Sequence, residues 1–442
     1  MKKYLTLACA LTLLAGCAQS ARQPQAEEEP AAVLTGTYTR FVQGDDWGAG
    51  VSRIDVTLDS KLDSLSADDL TVKETRVSAD WGAEGMPLTL VTNERTITDA
   101  YLTDSQGNKT SNASATFAVE LYISPSEGNA FTYEPHITRN EWSPYKLDIT
   151  SAALTSEGKP VYVSISAAPS DTKTSVDEFA MDTYTASDGT EYDYAYYEPK
   201  NESKTLVVWL HGGGEGHVRE AGTDPRIPLL GNEAGNLAKE DFQNAVGGAY
   251  VLSPQCPSYW MDSEGHDNIA VQDYTLSTNV SYYTESLHEL IMNYKEKVGA
   301  EKVILTGCSN GGYMTFLQAI NYPDDYDAYV MICESLKAES ISDADIERVK
   351  DLPMFFIWSK NDTMVNPDDC SKTNVERLQA AGASDLHVFN PDSVTDTSGR
   401  FKDENGNAHE YAGHWSWIYF DNNEAVDENG LSAWEFIAQN AQ

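Results

Sequence analysis

The sequence predicts an all-β sandwich followed by an α/β domain with a doubly wound, mainly parallel sheet. Residues 34–168 contain short strand-like runs between turn signals and few helical periods, which is typical of an antiparallel sandwich. Residues 172–442 alternate buried strand-like runs with helical stretches, which favours a parallel sheet covered by helices on both faces. The length of 442 residues exceeds one ordinary domain and agrees with this division.

The first domain is predicted from its strand-like runs, which include residues 51–58, 115–122 and 161–165. Its sequence shows no Ser/His/Asp cluster and no metal-ligand spacing. Two aromatic stretches, Asp46–Gly50 and Asn140–Tyr145, are interpreted as core or turn structure, with a binding surface as the alternative. The sequence therefore indicates no catalytic chemistry in this domain.

The second domain is predicted from alternating strands and helices. Predicted helices cover residues 283–298 and 433–438, and predicted strands cover 191–197, 205–210, 249–252, 303–305, 329–332, 354–358 and 386–389. In a doubly wound sheet, ligands bind at the carboxyl ends of the strands. Candidate functional residues are therefore sought directly after these runs.

The pentapeptide Gly307-Cys308-Ser309-Asn310-Gly311 lies between the strand 303–305 and a helical stretch. A G-x-S-x-G sequence in this context predicts a nucleophile elbow, a tight turn that exposes the serine hydroxyl. A simple turn between a strand and a helix is the alternative. We expect Ser309 to be the nucleophile.

A glycine-rich segment, His211-Gly212-Gly213-Gly214-Glu215-Gly216, follows the strand 205–210. It matches the H-G-G-G type of oxyanion loop, in which backbone N–H groups approach a developing negative charge. A flexible loop or a phosphate cradle is the alternative, but no G-K-[ST] follows. The predicted oxyanion donors are Gly213, Gly214 and Asn310.

The acid and the base are predicted to follow the elbow in the chain. Asp362 stands just after the strand 354–358 and is the preferred acid, with Glu334 as its competitor. His414 precedes an aromatic segment and is the preferred base, whereas His387 and His409 are assigned to a strand and a polar loop.

The amino terminus has the features of an export signal. A basic start and a short apolar run end in Leu14-Ala15-Gly16-Cys17, which resembles the lipobox of bacterial lipoproteins. That resemblance implies a signal peptide over residues 1–16 and a lipid on Cys17. The composition of the stretch that follows predicts a flexible tether over residues 17–33. We expect an envelope protein that faces outward and reaches the membrane through its lipid; an ordinary secretion signal is the alternative.

Charge and cysteine content limit the partners. Asp and Glu total 69 against 30 Lys and Arg, so the formal net charge is -39, which makes a nucleic-acid partner improbable. The cysteines beyond the export signal show no metal-ligand spacing. A disulfide from Cys256 to Cys333 or Cys370 is possible in an exported protein but is not favoured. Cys308 is interpreted as a buried apolar residue.

With these motifs in view, the second domain resembles the α/β-hydrolase superfamily, near its feruloyl esterase, polyhydroxybutyrate depolymerase and prolyl-oligopeptidase-like branches. The whole chain resembles the esterase A family, in which an immunoglobulin-like domain precedes the hydrolase. The shared motifs are Asp46-Trp47-Gly48, Trp142–Tyr145, Leu147–Thr150, His211–Gly216, Ser253–Pro257, Gly307–Gly312 and Gly413–Trp415.

The resemblance implies a carboxylesterase that acts on short acyl esters, of small molecules or polysaccharides, without metal or cofactor. A serine peptidase of the prolyl-oligopeptidase type uses the same three residue types but usually carries a β-propeller, and no blade repeat is visible. A non-catalytic binding protein is the third class. The intact set of Ser309, Asp362 and His414 argues against it.

Overall fold

The computed structural model describes residues 31–80, 83–134, 139–216, 224–265 and 278–442. The predicted signal peptide, Cys17 and nearly all of the predicted tether lie outside these residues. Among the residues that are described, no helix combines the length and apolar character that crossing a membrane requires. The four cysteines in the described ranges are all buried and unpaired, and they are Cys256, Cys308, Cys333 and Cys370.

The first domain, called the sandwich domain below, consists of two facing sheets. One sheet has the strand order β1-β12-β10-β4-β5, with β11 beside β12, and the other has the order β13-β2-β3-β7-β6. Apolar side chains alternate inward along the strands, as in β10, where Tyr145, Leu147 and Ile149 are buried. The strands are β1 (Ala32–Leu34), β2 (Gly36–Asp45), β3 (Gly48–Leu62), β4 (Leu70–Ala79), β5 (Leu88–Glu94), β6 (Ile97–Thr103), β7 (Ser114–Leu121), β10 (Tyr145–Ser151), β11 (Leu154–Ser156), β12 (Lys159–Ala167) and β13 (Asp171–Thr174).

Two features of this domain differ from the prediction. Strand β13 pairs in parallel with β2, so residues 172–174, which the prediction assigns to the second domain, belong to the sandwich. Strands β8 (Phe131–Glu134) and β9 (Arg139–Trp142) form a separate two-stranded ladder, called the hairpin below. The hairpin contains part of the stretch that was interpreted as core or turn structure.

The second domain, called the α/β domain below, is built on a sheet with the order β14-β15-β17-β16-β18-β19-β20-β21. The strands from β17 to β21 pair in parallel, and β14 and β15 form an antiparallel edge. The predicted doubly wound α/β fold is confirmed. The strands are β14 (Ala180–Thr185), β15 (Glu191–Tyr197), β16 (Thr205–Leu210), β17 (Tyr250–Gln255), β18 (Lys302–Cys308), β19 (Ala328–Ile332), β20 (Met354–Ile357) and β21 (Leu386–Phe389).

Helices cover both faces of this sheet, and each of its central strands is buried on both sides, as the continuous apolar sequences predict. The elbow helix begins at Asn310, directly after the nucleophile candidate. The helices are α1 (Arg226–Gly231), α2 (Glu240–Val246), α3 (Thr284–Val298), α4 (Asn310–Asn321), α5 (Asp343–Val349), α6 (Ser371–Ala380), α7 (Trp417–Asp421) and α8 (Ala433–Asn440).

The two domains share a hydrophobic core. Buried residues of the sandwich, such as Val42 and Trp47, belong to the same apolar cluster as Leu229 and Leu230 of α1. A polar contact also crosses this interface, where Arg400 Nη1 pairs with Asp45 Oδ2 at 2.8 Å. The sandwich domain is therefore packed firmly beside the carboxyl ends of the parallel strands.

Candidate active site

Ser309 lies at the turn between β18 and α4. Its φ of 53° and ψ of -114° place a non-glycine residue in a sparsely populated conformation. Such a conformation costs on the order of 1–3 kcal/mol and persists only where the surroundings impose it. The Ser309 N–H donates to the Ile332 carbonyl oxygen at 2.8 Å, which ties the turn to β19. The strand, turn and helix context predicted for the elbow is present.

Two glycines of the elbow lie where a side chain has no room. A Cβ on Gly311 would come within 1.9 Å of the Leu210 carbonyl oxygen, and one on Gly307 within 2.6 Å of the Gly311 carbonyl oxygen. These obstacles are backbone atoms, which cannot move aside by a rotamer change. The G-x-S-x-G spacing is therefore a requirement of close packing between β18, α4 and β16.

The structure brings the three predicted catalytic side chains into one hydrogen-bonded row. Ser309 Oγ lies 2.9 Å from His414 Nε2, and His414 Nδ1 lies 2.7 Å from Asp362 Oδ2. The three segments that carry these side chains meet at the carboxyl edge of the sheet, although His414 is 105 residues from Ser309 in the chain. This is the arrangement of a nucleophile, a general base and an orienting acid.

The acid and base loops also hold each other in place. Asp362 Oδ1 accepts backbone N–H bonds from Met364 at 2.8 Å and Val365 at 2.9 Å, leaving Oδ2 for the histidine. A Cβ on Gly413 would lie 2.6 Å from the Asn361 carbonyl oxygen, so only glycine lets the two loops touch here. The Trp417 ring meets the His414 ring edge-on, with centroids 5.9 Å apart.

The competing candidates lie elsewhere. Glu334 is fully buried behind the elbow, where it accepts bonds from Leu336 N at 2.7 Å and Asn374 Nδ2 at 3.0 Å. It is not among the described residues that line the cavity. His387 contacts Asp385 and Asp427, and the His409 ring packs on Tyr411.

The segment His211–Gly216, called the glycine loop below, is shaped by the His211 ring. His211 Nε2 accepts the Cys256 N–H at 2.9 Å, so Nδ1 carries the proton and donates to the Gly212 carbonyl oxygen at 2.6 Å. Burial lowers the pKa of His211 to about 4, which keeps the ring neutral. Because C=O and N–H point in opposite directions in a trans peptide, this bond sets the direction of the Gly213 N–H.

Trp260 connects the glycine loop to the elbow and was missed by sequence reasoning. Its backbone N–H donates to Asn310 Oδ1 at 2.5 Å, and its indole N–H donates to the His211 carbonyl oxygen at 3.2 Å. The side chain is fully buried. One residue therefore sets the spacing between the predicted donors of the glycine loop and the backbone N–H of Asn310.

Glu215 places a buried carboxyl in the glycine loop. Burial raises the pKa of Glu215 to about 7, and the hydrogen bond from Asn140 opposes that rise. Its Oε1 accepts from Asn140 Nδ2 of the hairpin at 3.0 Å. The residue lines the cavity beside Ser309. A loop that sequence analysis assigned to the α/β domain alone thus contacts the sandwich domain.

The cavity above Ser309 has a volume of about 930 Å³ and is formed by both domains. This volume is in the range of small-molecule binding sites. The sandwich side is rich in aromatic residues, and so is the loop of the predicted base. The aromatic lining residues are Trp47, Phe131, Tyr133, Trp415 and Trp417. Within the described ranges, no group of three or more His, Cys, Asp or Glu side chains is arranged to hold a metal ion.

Comparison with known proteins identifies the first domain. The family described as the esterase Ig-like N-terminal domain matches residues 37–162. The sandwich is similar to this immunoglobulin-like domain over these residues. A comparison with curated proteins gave no match.

A solved structure resembles the whole two-domain arrangement. A thermostable esterase superposes with a TM-score of 0.65 at 22% identity, over 88% of this chain and 96% of its own. At this identity the likeness shows the fold, and it confirms an Ig-like domain joined to an α/β-hydrolase domain. A ferulic acid esterase (12% identity, 55% of this chain and 93% of its own, TM-score 0.36) and a carboxyl esterase from Bacillus coagulans (12%, 48% and 90%, TM-score 0.34) also align, more weakly.

Proposed function

We propose that the protein is a serine carboxylesterase that hydrolyses short-acyl esters of small molecules or polysaccharides through an acyl-enzyme. The observation that carries this proposal is the row Ser309–His414–Asp362, with contacts of 2.9 and 2.7 Å, at the floor of an open cavity. The similarity of the fold to a thermostable esterase supports it.

The reaction follows from the geometry. Ser309 Oγ attacks the ester carbonyl carbon while His414 Nε2 takes its proton, and Asp362 stabilises the imidazolium through Nδ1. The carbonyl oxygen becomes negative and is met by the N–H groups proposed as donors, those of Gly213, Gly214 and Asn310. His414 returns the proton to the leaving alcohol. Water then attacks the acyl group by the same steps in reverse.

Hydrolysis of p-nitrophenyl acetate, butyrate and octanoate, measured beside a proline-containing peptide amide, tests the proposal. We expect turnover of the short esters and labelling of Ser309 by an organophosphonate. Ser309→Ala should lose the label and retain only the catalysis of the oxyanion donors, roughly 10³–10⁴-fold over water. Amide cleavage exceeding ester cleavage would instead favour the peptidase alternative, although residues 32–174 form a sandwich and not a β-propeller.

The acyl and alcohol preferences need a wider panel. Aromatic side chains on both sides of the cavity support a substrate with a flat or sugar-like group beyond the acyl carbonyl. Acetylated and feruloylated xylan, assayed beside the p-nitrophenyl esters, separate a polysaccharide esterase from a small-ester hydrolase. If the enzyme hydrolysed both polymers at equal rates, and the rates did not saturate with polymer concentration, a polysaccharide substrate would be contradicted.

We also propose that Cys17 carries a lipid that anchors the enzyme to the outward face of a bacterial envelope membrane. The support is the sequence Leu14-Ala15-Gly16-Cys17 after a short apolar run. Cys17→Ala should move the protein from the membrane to the soluble fraction and abolish metabolic palmitate labelling. Membrane association that persists without label would contradict the anchor.

A further inference from the structure

Hydrogen bonds reach the glycine loop from both domains. From the α/β domain, His211 holds the Gly212 carbonyl oxygen and Gln255 Nε2 donates to the Glu215 carbonyl oxygen at 2.8 Å. From the sandwich domain, the Asn140 N–H donates to the Gly214 carbonyl oxygen at 2.7 Å. The loop is therefore completed by a residue that lies 74 positions earlier in the chain.

The Asn140 side chain makes a second contact with the same loop. Its Nδ2 donates to Glu215 Oε1 at 3.0 Å. Within the described part of the chain, this is the side-chain hydrogen bond that the Glu215 carboxyl accepts. Arg139 Nη1 adds a bond of 3.1 Å to the Gly216 carbonyl oxygen. Residues 214–216 thus receive consecutive bonds from the start of β9. A buried carboxyl that loses its donor becomes costly, so the loop would shift to rehydrate it.

The hairpin that presents Asn140 is itself firmly attached. Trp142 Nε1 donates to Asp224 Oδ2 at 2.7 Å. The guanidinium groups of Arg40 and Arg226 lie 5.1 and 5.5 Å from the centroid of the Trp142 ring. Ser143 Oγ donates to the Val77 carbonyl oxygen of β4 at 2.9 Å. A group held on such a support can determine the position of what it bonds to.

We propose that Asn140 of the sandwich domain is a positioning residue that aligns the glycine loop for binding of the oxyanion. The proposal rests on the proposed esterase function. It gives the Ig-like domain a part in the reaction without placing a group of Asn140 on the reacting atoms. The donors of the loop act mainly when negative charge develops, so a misaligned loop should reduce kcat more than it raises KM.

The test uses the full chain and p-nitrophenyl acetate. Asn140→Ala keeps the backbone bond to Gly214 and removes only the side-chain bond to Glu215. We expect kcat to fall by about 10- to 100-fold, which is at most the effect of removing a complete oxyanion donor. KM should change by less than about 3-fold. Affinity for a trifluoromethyl ketone, which forms the charged adduct, should fall by a similar factor.

Asn422→Ala is the matched control. Asn422 Nδ2 also donates across the domain interface to a buried carboxylate, Asp46 Oδ1, at 2.7 Å, but it does not touch the glycine loop. We expect it to lower the unfolding temperature while kcat stays within about 2-fold of wild type. An equal loss of kcat in both variants would mean general loosening of the interface and would overturn the proposal.

Asn140→Asp supplies a second readout and keeps the size of the side chain. At high pH two carboxylates would face each other, whereas at lower pH a shared proton restores the donor to Glu215. The ratio of kcat for this variant to wild-type kcat should therefore rise as pH falls from 8 to 6. A flat ratio, or wild-type kcat in Asn140→Ala, would refute the positioning role. A wild-type enzyme without any ester turnover would instead refute the proposed function.

Discussion

The elbow, which contains Ser309, and the glycine loop line the same cavity, but they are held in place in different ways. The elbow is shaped by its own glycines against neighbouring strands, as the 1.9 Å approach of a Gly311 Cβ to Leu210 O demonstrates. In the glycine loop, a Cβ on Gly214 would make a tight contact of 3.3 Å with Asn140 Nδ2, so the obstacle there is a side chain and not the backbone. The position of the glycine loop depends on the His211 ring and on a second domain.

This difference shows that the two parts of the candidate active site, the elbow and the glycine loop, are positioned by different kinds of contact. A strained serine needs rigid backbone on every side, which a short motif between adjacent elements provides. Donors for a transient charge need alignment at the right distance, which long-range contacts can provide. Each side also has a buried carboxyl whose pKa burial raises to about 7, Glu215 on the loop and Glu334 behind the elbow.

The largest expected effect is on kcat, and it distinguishes the proposed acid, Asp362, from its competitor, Glu334. Asp362→Asn should reduce kcat by about 10⁴-fold, because the asparagine favours the wrong tautomer of His414. Glu334→Gln should leave kcat within about 10-fold, since Glu334 lies outside the cavity and contacts Leu336 and Asn374. Steady-state kinetics on p-nitrophenyl acetate measures both. The reverse ranking would transfer the acid role to Glu334.

Glycine substitutions test the steric contrast directly. Gly311→Ala should destabilise the protein by about 3 kcal/mol or more, because the obstacle is the backbone of β16. Gly214→Ala should cost less, about 1 kcal/mol of stability, since its obstacle is a side-chain atom at 3.3 Å. That atom is Asn140 Nδ2, so the substitution should disturb the bond to Glu215 and reduce kcat. Urea unfolding and ester turnover measured on the same samples distinguish the two. Similar unfolding midpoints would show that the elbow is no more constrained than the loop.

Buried carboxyls make stability depend on pH. Because burial raises the folded-state pKa of Glu334 to about 7, its contribution is complete below the unfolded pKa near 4.5 and is lost as pH rises through 7. The loss should approach about 3 kcal/mol between pH 5 and 8. Glu334→Gln should remove this slope in urea unfolding. Glu215→Gln should remove a similar slope, because burial raises the pKa of Glu215 to about 7 as well. An unchanged slope in both variants would contradict the assignment.

The smallest expected effect concerns backbone strain at the nucleophile. Ser309→Gly and Ser309→Ala both remove the hydroxyl, but only glycine accepts a φ of 53° without penalty. We expect Ser309→Gly to be more stable than Ser309→Ala by about 1 kcal/mol, despite the usual cost of glycine. Thermal unfolding at neutral pH compares them. Greater stability of the alanine variant would indicate that the turn stores no strain.

Short-range patterns in the sequence determined the strand before Ser309, the helix after it and the glycines around it. They did so because strand–turn–helix geometry and glycine spacing are local properties of the backbone. The positions of Asp362 and His414 also follow from chain order after successive strands. The domain types were predictable for the same reason, since alternation and helical periodicity extend over whole domains.

Tertiary structure alone decided which partners meet. The choice of Asp362 over Glu334 depends on where a strand end points, and the contact of Asn140 with Glu215 joins residues 75 positions apart. Trp260 connects the glycine loop to Asn310, and no sequence motif predicts this contact. The raised pKa of Glu215 also follows from burial in the folded structure, where the sandwich domain supplies the Asn140 contact. Periodicity encodes which face of an element is buried, but not which distant loop covers it.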